Sequence, residues 1–178
     1  MVATVVVNEW NGNSVKTDKT GSTVRFKTAD NATVDTNNPI TIPTSGQTHS
    51  FEKWCRMAIT GTPPSQRINN LKFYTDGTNS YGTGITLYGE VGSSGTFRSA
   101  AQGASGAAVP LGGSGSITMT NTFVYTSGGT LALSSAAETF SGSAVDMGRF
   151  TVLVMTISAA ATQGTLTAET GTFSYDEV

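Results

Sequence analysis

The segment from Ser50 to Val91 limits the fold of this chain more than any other. It reads SFEKWCRMAITGTPPSQRINNLKFYTDGTNSYGTGITLYGEV, and it contains three short stretches in which apolar and polar residues alternate. Clusters of Gly, Pro, Asn and Asp separate these stretches. Alternation with a period of two, interrupted by such breakers, is typical of β-strands joined by turns, and no helical periodicity accompanies it. The segment therefore predicts β-structure.

The remainder of the chain repeats this pattern at intervals of roughly ten residues, as in β-sandwiches and jelly rolls. Arg149–Ser158 is apolar on both faces and predicts a central strand that is covered on both sides. We expect an all-β protein with a jelly-roll-like antiparallel β-sandwich as a single domain over residues 21–178, and residues 1–20 as an N-terminal arm or edge strand. The other stretches with strand character are Val2–Val7, Ser22–Thr28, Ile117–Tyr125 and Leu166–Tyr175.

Strand alternation also predicts which side chains form the core. In Ser50–Thr60 the mostly apolar face that includes Lys53 and Cys55 is expected to face inward, and the face with Trp54 and Arg56 outward. The same reasoning on the other strands gives one predicted core: Phe51, Cys55, Met57, Ile59, Leu71, Phe73, Ile85, Leu87, Phe150, Val152, Val154 and Phe173.

Composition argues against several classes of function. Charged residues make up 12% of the chain, and the net charge is −2 without a Lys/Arg cluster, so we expect no binding to nucleic acid. The single cysteine cannot form an internal disulfide, which agrees with assembly in a reducing cytoplasm. The first residues have no basic region of a signal peptide, and no apolar run approaches the ~20 residues of a membrane helix. We expect no contact with a membrane.

Few residues suit catalysis. His49 is the only histidine and lies in a Thr/Ser stretch before a strand, where a surface or capping role is expected. Cys55 alternates with apolar neighbours and predicts a small core residue rather than a reactive thiol. We therefore expect no enzyme activity. A glycosidase-like pair of carboxylates would come from Asp76, Glu90, Asp146, Glu169, Asp176 and Glu177, most of which lie in turn-like positions.

Cofactor and metal sites are also not expected. The Asp- and Asn-rich stretch Asp30–Asn38 could offer oxygen ligands to Ca²⁺, but it lacks the spacing of an EF-hand, and a loop of Asx turns is the favoured interpretation. The Gly-rich segments Gly92–Gly95 and Gly112–Gly115 lack the Lys-Ser/Thr of a phosphate-binding loop.

Aromatic side chains outside the predicted core are candidates for an interaction surface. Trp54, Tyr74 and Tyr88 lie opposite the core-facing set of their strands, which fits a stacking platform for carbohydrate, a protein interface or a second covered face. The β-branched N-terminal run could pair with the sheet edge of a neighbouring subunit or within its own sandwich. The candidate interface residues are Val5, Val6, Val7, Trp10, Trp54, Tyr74, Tyr81 and Tyr88.

Three segments carry a resemblance to a known class of proteins. Asn70–Asp76 (NLKFYTD), Gly84–Gly89 (GITLYG) and Thr165–Asp176 (TLTAETGTFSYD) resemble small β-sandwich structural proteins of tailed bacteriophages, which include capsid cement or decoration proteins. The resemblance implies a non-enzymatic virion protein on the capsid surface, assembled in the host cytoplasm. It also implies a homo-oligomer, a dimer or trimer, bound to the major capsid protein.

An alternative function is a carbohydrate-binding or receptor-binding β-sandwich module of a virion tail or surface. Grouped stacking aromatics would favour this alternative, whereas a flat surface of low charge would favour the capsid role. The small-residue segment Gly92–Ser116 is longer than an ordinary loop, and it is expected to be either a contact with a partner or a mobile loop.

Overall fold

The computed structural model describes residues 2–62, 67–92, 97, 108–110, 116–135 and 138–178. Within these ranges the chain forms thirteen strands and one 3₁₀ turn, Thr122–Val124. The strands are β1 Val5–Asn11, β2 Val15–Asp18, β3 Gln47–His49, β4 Lys53–Thr60, β5 Ile68–Tyr74, β6 Ile85–Val91, β7 Ala108–Pro110, β8 Ser116–Thr118, β9 Thr120–Asn121, β10 Leu131–Ala132, β11 Ala144–Asp146, β12 Thr151–Ser158 and β13 Thr172–Glu177.

Eight of these strands form the larger sheet. Its main path runs β2-β1-β4-β12-β6-β9, while β11 pairs with β4 and β3 pairs with β12, and all of these pairs are antiparallel. Every residue of β12 except Ser158 is buried. The prediction of a central strand covered on both faces is therefore confirmed.

The smaller sheet has the order β10-β5-β13 and packs against one face of the larger sheet. Met57 and Ile59 of β4 meet the apolar face of β5, which contributes Leu71 and Phe73. These side chains lie between the sheets because residues two apart along a strand point to the same side. The predicted all-β antiparallel sandwich, in a single domain, is confirmed.

The buried side chains form two clusters and not the single predicted core. Besides the residues just named, Ile85 and Leu87 lie between the sheets. Phe150, Val152 and Val154 lie on the opposite face of the larger sheet, with Trp54. Cys55 is buried as predicted, and Phe173 is half-buried against the inter-sheet core. The prediction for Phe51 is wrong, because this residue is half-buried and belongs to neither cluster.

The N-terminal run is an interior strand. Val5, Val6 and Val7 pair with Ile59, Ala58 and Met57 of β4, and the following residues of β1 pair with β2 on the other side. The prediction of an N-terminal arm that reaches a neighbouring subunit is therefore wrong. The alternative, pairing of this run within its own sandwich, is confirmed. Val5 and Val7 pack against the inter-sheet core.

Two further predictions concern the segments Ser22–Thr28 and Gly92–Ser116. Ser22–Thr28, predicted as a strand, forms none, and Lys27 within it is only 1% exposed. Most of Gly92–Ser116 lies outside the described residues, so the choice between an interface and a mobile loop is left open. Its described parts include β7, which pairs with β8 in a separate two-stranded sheet.

Candidate functional site

The sequence-predicted aromatic residues do not share one surface. Trp54 is 2% exposed and belongs to the buried outer face of the larger sheet, so the structure favours the alternative of a second covered face for this residue over an interface. Trp10 and Tyr88 are half-buried against the same face. Tyr81 packs on the inter-sheet core with its ring 6.0 Å from that of Phe123. Tyr74 is the last residue of β5, and it lies opposite the core-facing Phe73.

The two tryptophans belong to an aromatic cluster formed by Trp10, Trp54, Phe97 and Phe150. Both tryptophan rings meet the Phe150 ring edge-on, with centroids 5.2 Å and 5.3 Å away. The Phe97 ring lies 5.7 Å from Trp10 and 5.5 Å from Trp54. Tilted and edge-to-face contacts of this kind stabilise aromatic cores. The cluster is therefore a structural core on the outer face of the larger sheet.

Cationic groups lie over the rings of this cluster. The Lys16 ammonium group is 4.4 Å from the Trp10 ring, and the Arg56 guanidinium group is 5.2 Å from the Phe150 ring. Lys16 also forms an ion pair with Asp146 at 2.8 Å. Because a cation above a ring face is attracted by the ring's negative charge density, these contacts hold the side chains of β2 and β4 over the cluster.

A buried ionic network, which the sequence analysis did not predict, lies where the larger sheet meets the N-terminal loops. Glu9 of β1 is 0% exposed, and one of its carboxylate oxygens accepts a hydrogen bond from Lys53 Nζ at 3.1 Å. Lys19 Nζ lies 3.8 Å from the other oxygen. Lys53 and Lys19 are only 1% and 7% exposed. Glu9 of β1 pairs with Cys55 of β4, and Lys53 lies two residues from Cys55 on the same face of β4. Glu9 and Lys53 therefore share one face of the sheet.

Three buried lysines of this region hold three consecutive peptide carbonyls. Lys53 donates to the carbonyl of Asn31 at 2.8 Å, Lys19 to that of Ala32 at 2.6 Å, and Lys27 to that of Thr33 at 3.0 Å. Each ammonium group thus replaces part of its lost hydration with an oxygen acceptor. A signal was present in the sequence, since Lys53 alternates with Cys55 and Met57 on the predicted core face.

The Asp- and Asn-rich loop uses its oxygens to hold the chain. Asn31 Oδ1 accepts a hydrogen bond from the backbone N–H of Thr33 at 3.1 Å, and Asp35 Oδ1 accepts one from Asn37 at 3.0 Å. These are Asx turns, so the favoured interpretation of this loop is confirmed. Asp35 also accepts a hydrogen bond from Lys27 at 3.1 Å, which lowers the pKa of its carboxyl from the ordinary value.

His49 and Cys55 are both buried. The expectation of a surface role for His49 is wrong, because it is 4% exposed and its Nδ1 lies 2.9 Å from the hydroxyl of Thr156. Desolvation lowers the pKa of the His49 imidazole from its ordinary value of 6.5. Burial, and secondarily the Glu9 carboxylate, raise the pKa of the Cys55 thiol to about 12. Cys55 is therefore a protonated thiol near neutral pH and a poor nucleophile.

Each carboxylate considered for a glycosidase pair accepts a hydrogen bond within the chain. These contacts fix turns and strand ends, which is the ordinary use of such residues. The donors are Thr78 N to Asp76, Val91 N to Glu90, Lys16 Nζ to Asp146, Ser80 N to Glu169, Asn70 Nδ2 to Asp176 and Ala3 N to Glu177.

One open cleft lies at an end of the smaller sheet, where β5 and β13 meet the turn after Tyr125. We call it the Tyr74 cleft, and its volume is about 210 Å³. Tyr74 and Thr172 are cross-strand partners, and the backbone N–H of Thr75 donates to the carbonyl of Tyr125 at 2.8 Å. Three separate segments are thereby held together. The cleft is lined by Tyr74, Thr75, Asp76, Thr126, Ser127, Thr170 and Thr172.

Comparison of the chain with known protein families, curated proteins and solved structures finds no match. Among the described residues, no three His, Cys, Asp or Glu side chains group closely enough to hold a metal ion. The helical structure in the described ranges does not reach the length and hydropathy of a membrane-spanning helix.

Proposed function

We propose that this protein is a non-enzymatic structural component of a tailed-phage virion that binds the major capsid protein as a capsid cement or decoration protein. The observation that carries the proposal is the inward placement of charge. Five charged side chains are buried among the described residues: Glu9, Lys19, Lys27, Glu52 and Lys53. The whole chain has only 10 Lys and Arg and 12 Asp and Glu, so burial of these five further lowers the density of charge on its surface.

Such a surface suits broad protein contact. Charged groups are depleted at the centres of protein interfaces because desolvating them is costly, whereas hydroxyl groups lose less on burial. A homo-oligomer, a dimer or trimer, that lies flat on a capsid shell would use this property over a large area. The virion surface is then the proposed location, after assembly in the host cytoplasm.

The proposal does not include attachment through an N-terminal arm, because β1 pairs with β2 and β4 of its own sheet. The contact with the capsid is instead assigned to the exterior of the folded sandwich. Exposed apolar side chains available for such contact include Val15, which is 56% exposed on the edge strand β2, and Val124, which is 57% exposed in the 3₁₀ turn.

The candidates for acid–base chemistry also support a structural role. His49 and Cys55 are buried and bound within the fold, and the carboxylates considered above stabilise turns and strand ends. A catalytic site needs a nucleophile, a base and a stabilising group around one accessible cavity. The Tyr74 cleft contains one carboxylate and several hydroxyls, without a base paired to a nucleophile among its lining residues.

The test is binding to capsid shells of the phage whose genome encodes the chain. Shells that lack the protein are mixed with purified protein, separated by density-gradient centrifugation and heated in parallel. We expect the protein to co-sediment with the shells at a fixed ratio to the major capsid protein and to raise the temperature at which they rupture. Protein that stays at the top of the gradient and leaves this temperature unchanged would contradict the capsid role.

The oligomer is tested separately by light scattering of the free protein. A mass of two or three times 18.4 kDa agrees with the proposed dimer or trimer. A monomer that trimerises only on the shell would still co-sediment, so the two measurements distinguish failure of the oligomer from failure of the capsid role.

A further inference from the structure

The walls of the Tyr74 cleft are held in place by contacts on three sides. Thr170 is flanked by Glu169, whose carboxylate accepts a hydrogen bond from the backbone of Ser80. On the other side of Thr170, a Cβ added at Gly171 would lie 2.7 Å from the Phe73 ring, so only glycine lets this segment pass so close to β5. A site built on strands and fixed turns keeps its geometry better than one on free loops.

The opposite wall is a tight turn. The backbone groups of Thr126 and Gly129 exchange hydrogen bonds at 3.2 Å and 3.0 Å. Gly77 has a φ of +87°, and the methyl group of Thr126 lies 3.0 Å from where its Cβ would be. The two turns therefore touch each other, and both contribute lining residues to the cleft, Asp76 from one and Ser127 from the other.

The lining combines one aromatic ring with groups that exchange hydrogen bonds. Tyr74 is half-buried, and Asp76, Ser127 and Thr170 are exposed. In the described part of the chain, no hydrogen bond engages the side-chain hydroxyls of Tyr74, Thr126, Ser127, Thr170 and Thr172, so these groups are available to a ligand. Asp76 uses one carboxylate oxygen to bind the N–H of Thr78 at 2.8 Å.

We propose that the Tyr74 cleft binds a single residue of a neutral saccharide, with one face of the sugar ring on Tyr74 and its hydroxyls on Asp76, Thr126 and Ser127. An anionic ligand is disfavoured because the lining has a carboxylate and no Lys or Arg. A purely apolar ligand is disfavoured because every lining side chain carries a hydroxyl or a carboxylate group. The volume of about 210 Å³ is below the ~300–1,000 Å³ of sites for drug-sized molecules and suits one small ring.

This inference goes beyond the capsid role and does not depend on it. A decoration protein displayed in many copies could hold glycans weakly at each copy and still bind a polysaccharide surface firmly through multivalency. The single-site affinity is expected to be on the order of millimolar, as befits a small ligand in an open cleft.

The experiment is a titration of the full ¹⁵N-labelled chain, followed by two-dimensional NMR. The probes are glucose, galactose, mannose and N-acetylglucosamine, each added separately to concentrations well above millimolar, with glycerol as a polyol that has no ring. We expect at least one sugar to shift the amide signals of residues 74–76, 126–127 and 170–172, and glycerol to shift them far less.

Matched variants test the chemistry of the cleft. Tyr74→Ala is expected to weaken sugar binding by about tenfold or more, the effect of losing a good ring contact. Asp76→Ala should weaken it as well, and Asp18→Ala is its control. Asp18 also accepts a hydrogen bond at 2.8 Å from an N–H two residues on, that of Thr20, but it lies outside the cleft. Thr126→Val removes a hydroxyl at nearly constant volume and is informative if Tyr74→Ala fails to fold.

Four outcomes would overturn the proposal, three of them in the titration itself. The first is that no probe shifts the cleft signals at any concentration. The second is that shifts occur only elsewhere on the protein, and the third is that glycerol acts as strongly as the sugars. An equal loss of binding in Asp18→Ala and Asp76→Ala would also count against it, since a general effect of the turns would then explain the result. Failure of these tests leaves the shell-binding experiment unaffected.

Discussion

Replacement of Glu9 by Gln tests whether the buried ionic network stabilises the sandwich. The substitution keeps the size of the side chain and removes its charge, which leaves Lys53 and Lys19 with neutral acceptors, namely backbone carbonyls and the amide oxygen of the new Gln. Loss of one partner of a buried ion pair typically costs about 3–5 kcal/mol, because the other charge stays desolvated. A domain is stable by only ~5–15 kcal/mol in total, so the expected loss is a large share of the whole.

Urea unfolding followed by circular dichroism measures the effect. With a slope of about 2 kcal/mol per molar urea, a loss of about 3–5 kcal/mol lowers the midpoint by roughly 2 M. The control is Asp146→Asn, which removes the charge from a surface ion pair of similar length, 2.8 Å to Lys16. An exposed pair contributes about 0–1 kcal/mol, so this midpoint should fall by less than ~0.5 M.

The double variant Glu9→Gln with Lys53→Met separates the loss of the pair from the cost of the isolated ammonium group. We expect it to be more stable than Glu9→Gln alone, because the buried charge is removed together with its partner. The reasoning is refuted if Glu9→Gln shifts the midpoint no more than Asp146→Asn does. It is also refuted if the double variant loses as much free energy of unfolding as the two single variants lose together.

Three further predictions follow from single positions. Burial lowers the pKa of His49 below 6.5, so the unfolded chain binds more protons in the window just below pH 6.5. Stability is therefore expected to fall as pH drops through 6.5, and a melting series against pH should lose this part of its slope in His49→Asn. Met57→Asp buries an unpaired charge at a side chain that is 1% exposed, and it should cost about 5 kcal/mol or more and leave the chain unfolded by circular dichroism. Gly148 has a φ of +61°, and its Cβ would lie 2.5 Å from the carbonyl oxygen of Leu133, so Gly148→Ala should destabilise by at least ~2 kcal/mol. Gly164→Ala, where the Cβ meets open space, should stay within about 0.5 kcal/mol of the parent in the same urea assay.

The fold class could be predicted from sequence because it depends on local alternation. Met57, Ile59, Leu71 and Phe73 all lie between the sheets, as their spacing implies. Alternation could not show that the larger sheet is also covered on its other face. Trp54 was consequently left open as part of a stacking platform, an interface or a second covered face, and it lies in a second buried cluster with Phe150.

The ionic network and the cleft depend on contacts between distant segments. Lys27 and Lys53 look like surface residues by type, and their burial becomes favourable only through acceptors from other segments, namely the carbonyls of residues 31–33 and the carboxylates of Asp35 and Glu9. The cleft is lined by Tyr74, Ser127 and Thr170, which lie far apart in sequence, so no sequence motif predicts it. Tyr74 was a candidate from its strand position, but the hydroxyl groups around it were not.

The central position of β12 has a consequence for how the protein is made. Its Met155 pairs with Ser50, 105 residues earlier, and its other neighbours β4 and β6 also precede it by long stretches of chain. Native contacts of such long sequence separation form slowly, because a large loop must close before they stabilise anything. On the ribosome, β1 and β4 are therefore made long before residues 151–158, and the sheet edge of β4 that β12 covers is expected to stay unpaired during this delay, when an exposed edge favours aggregation.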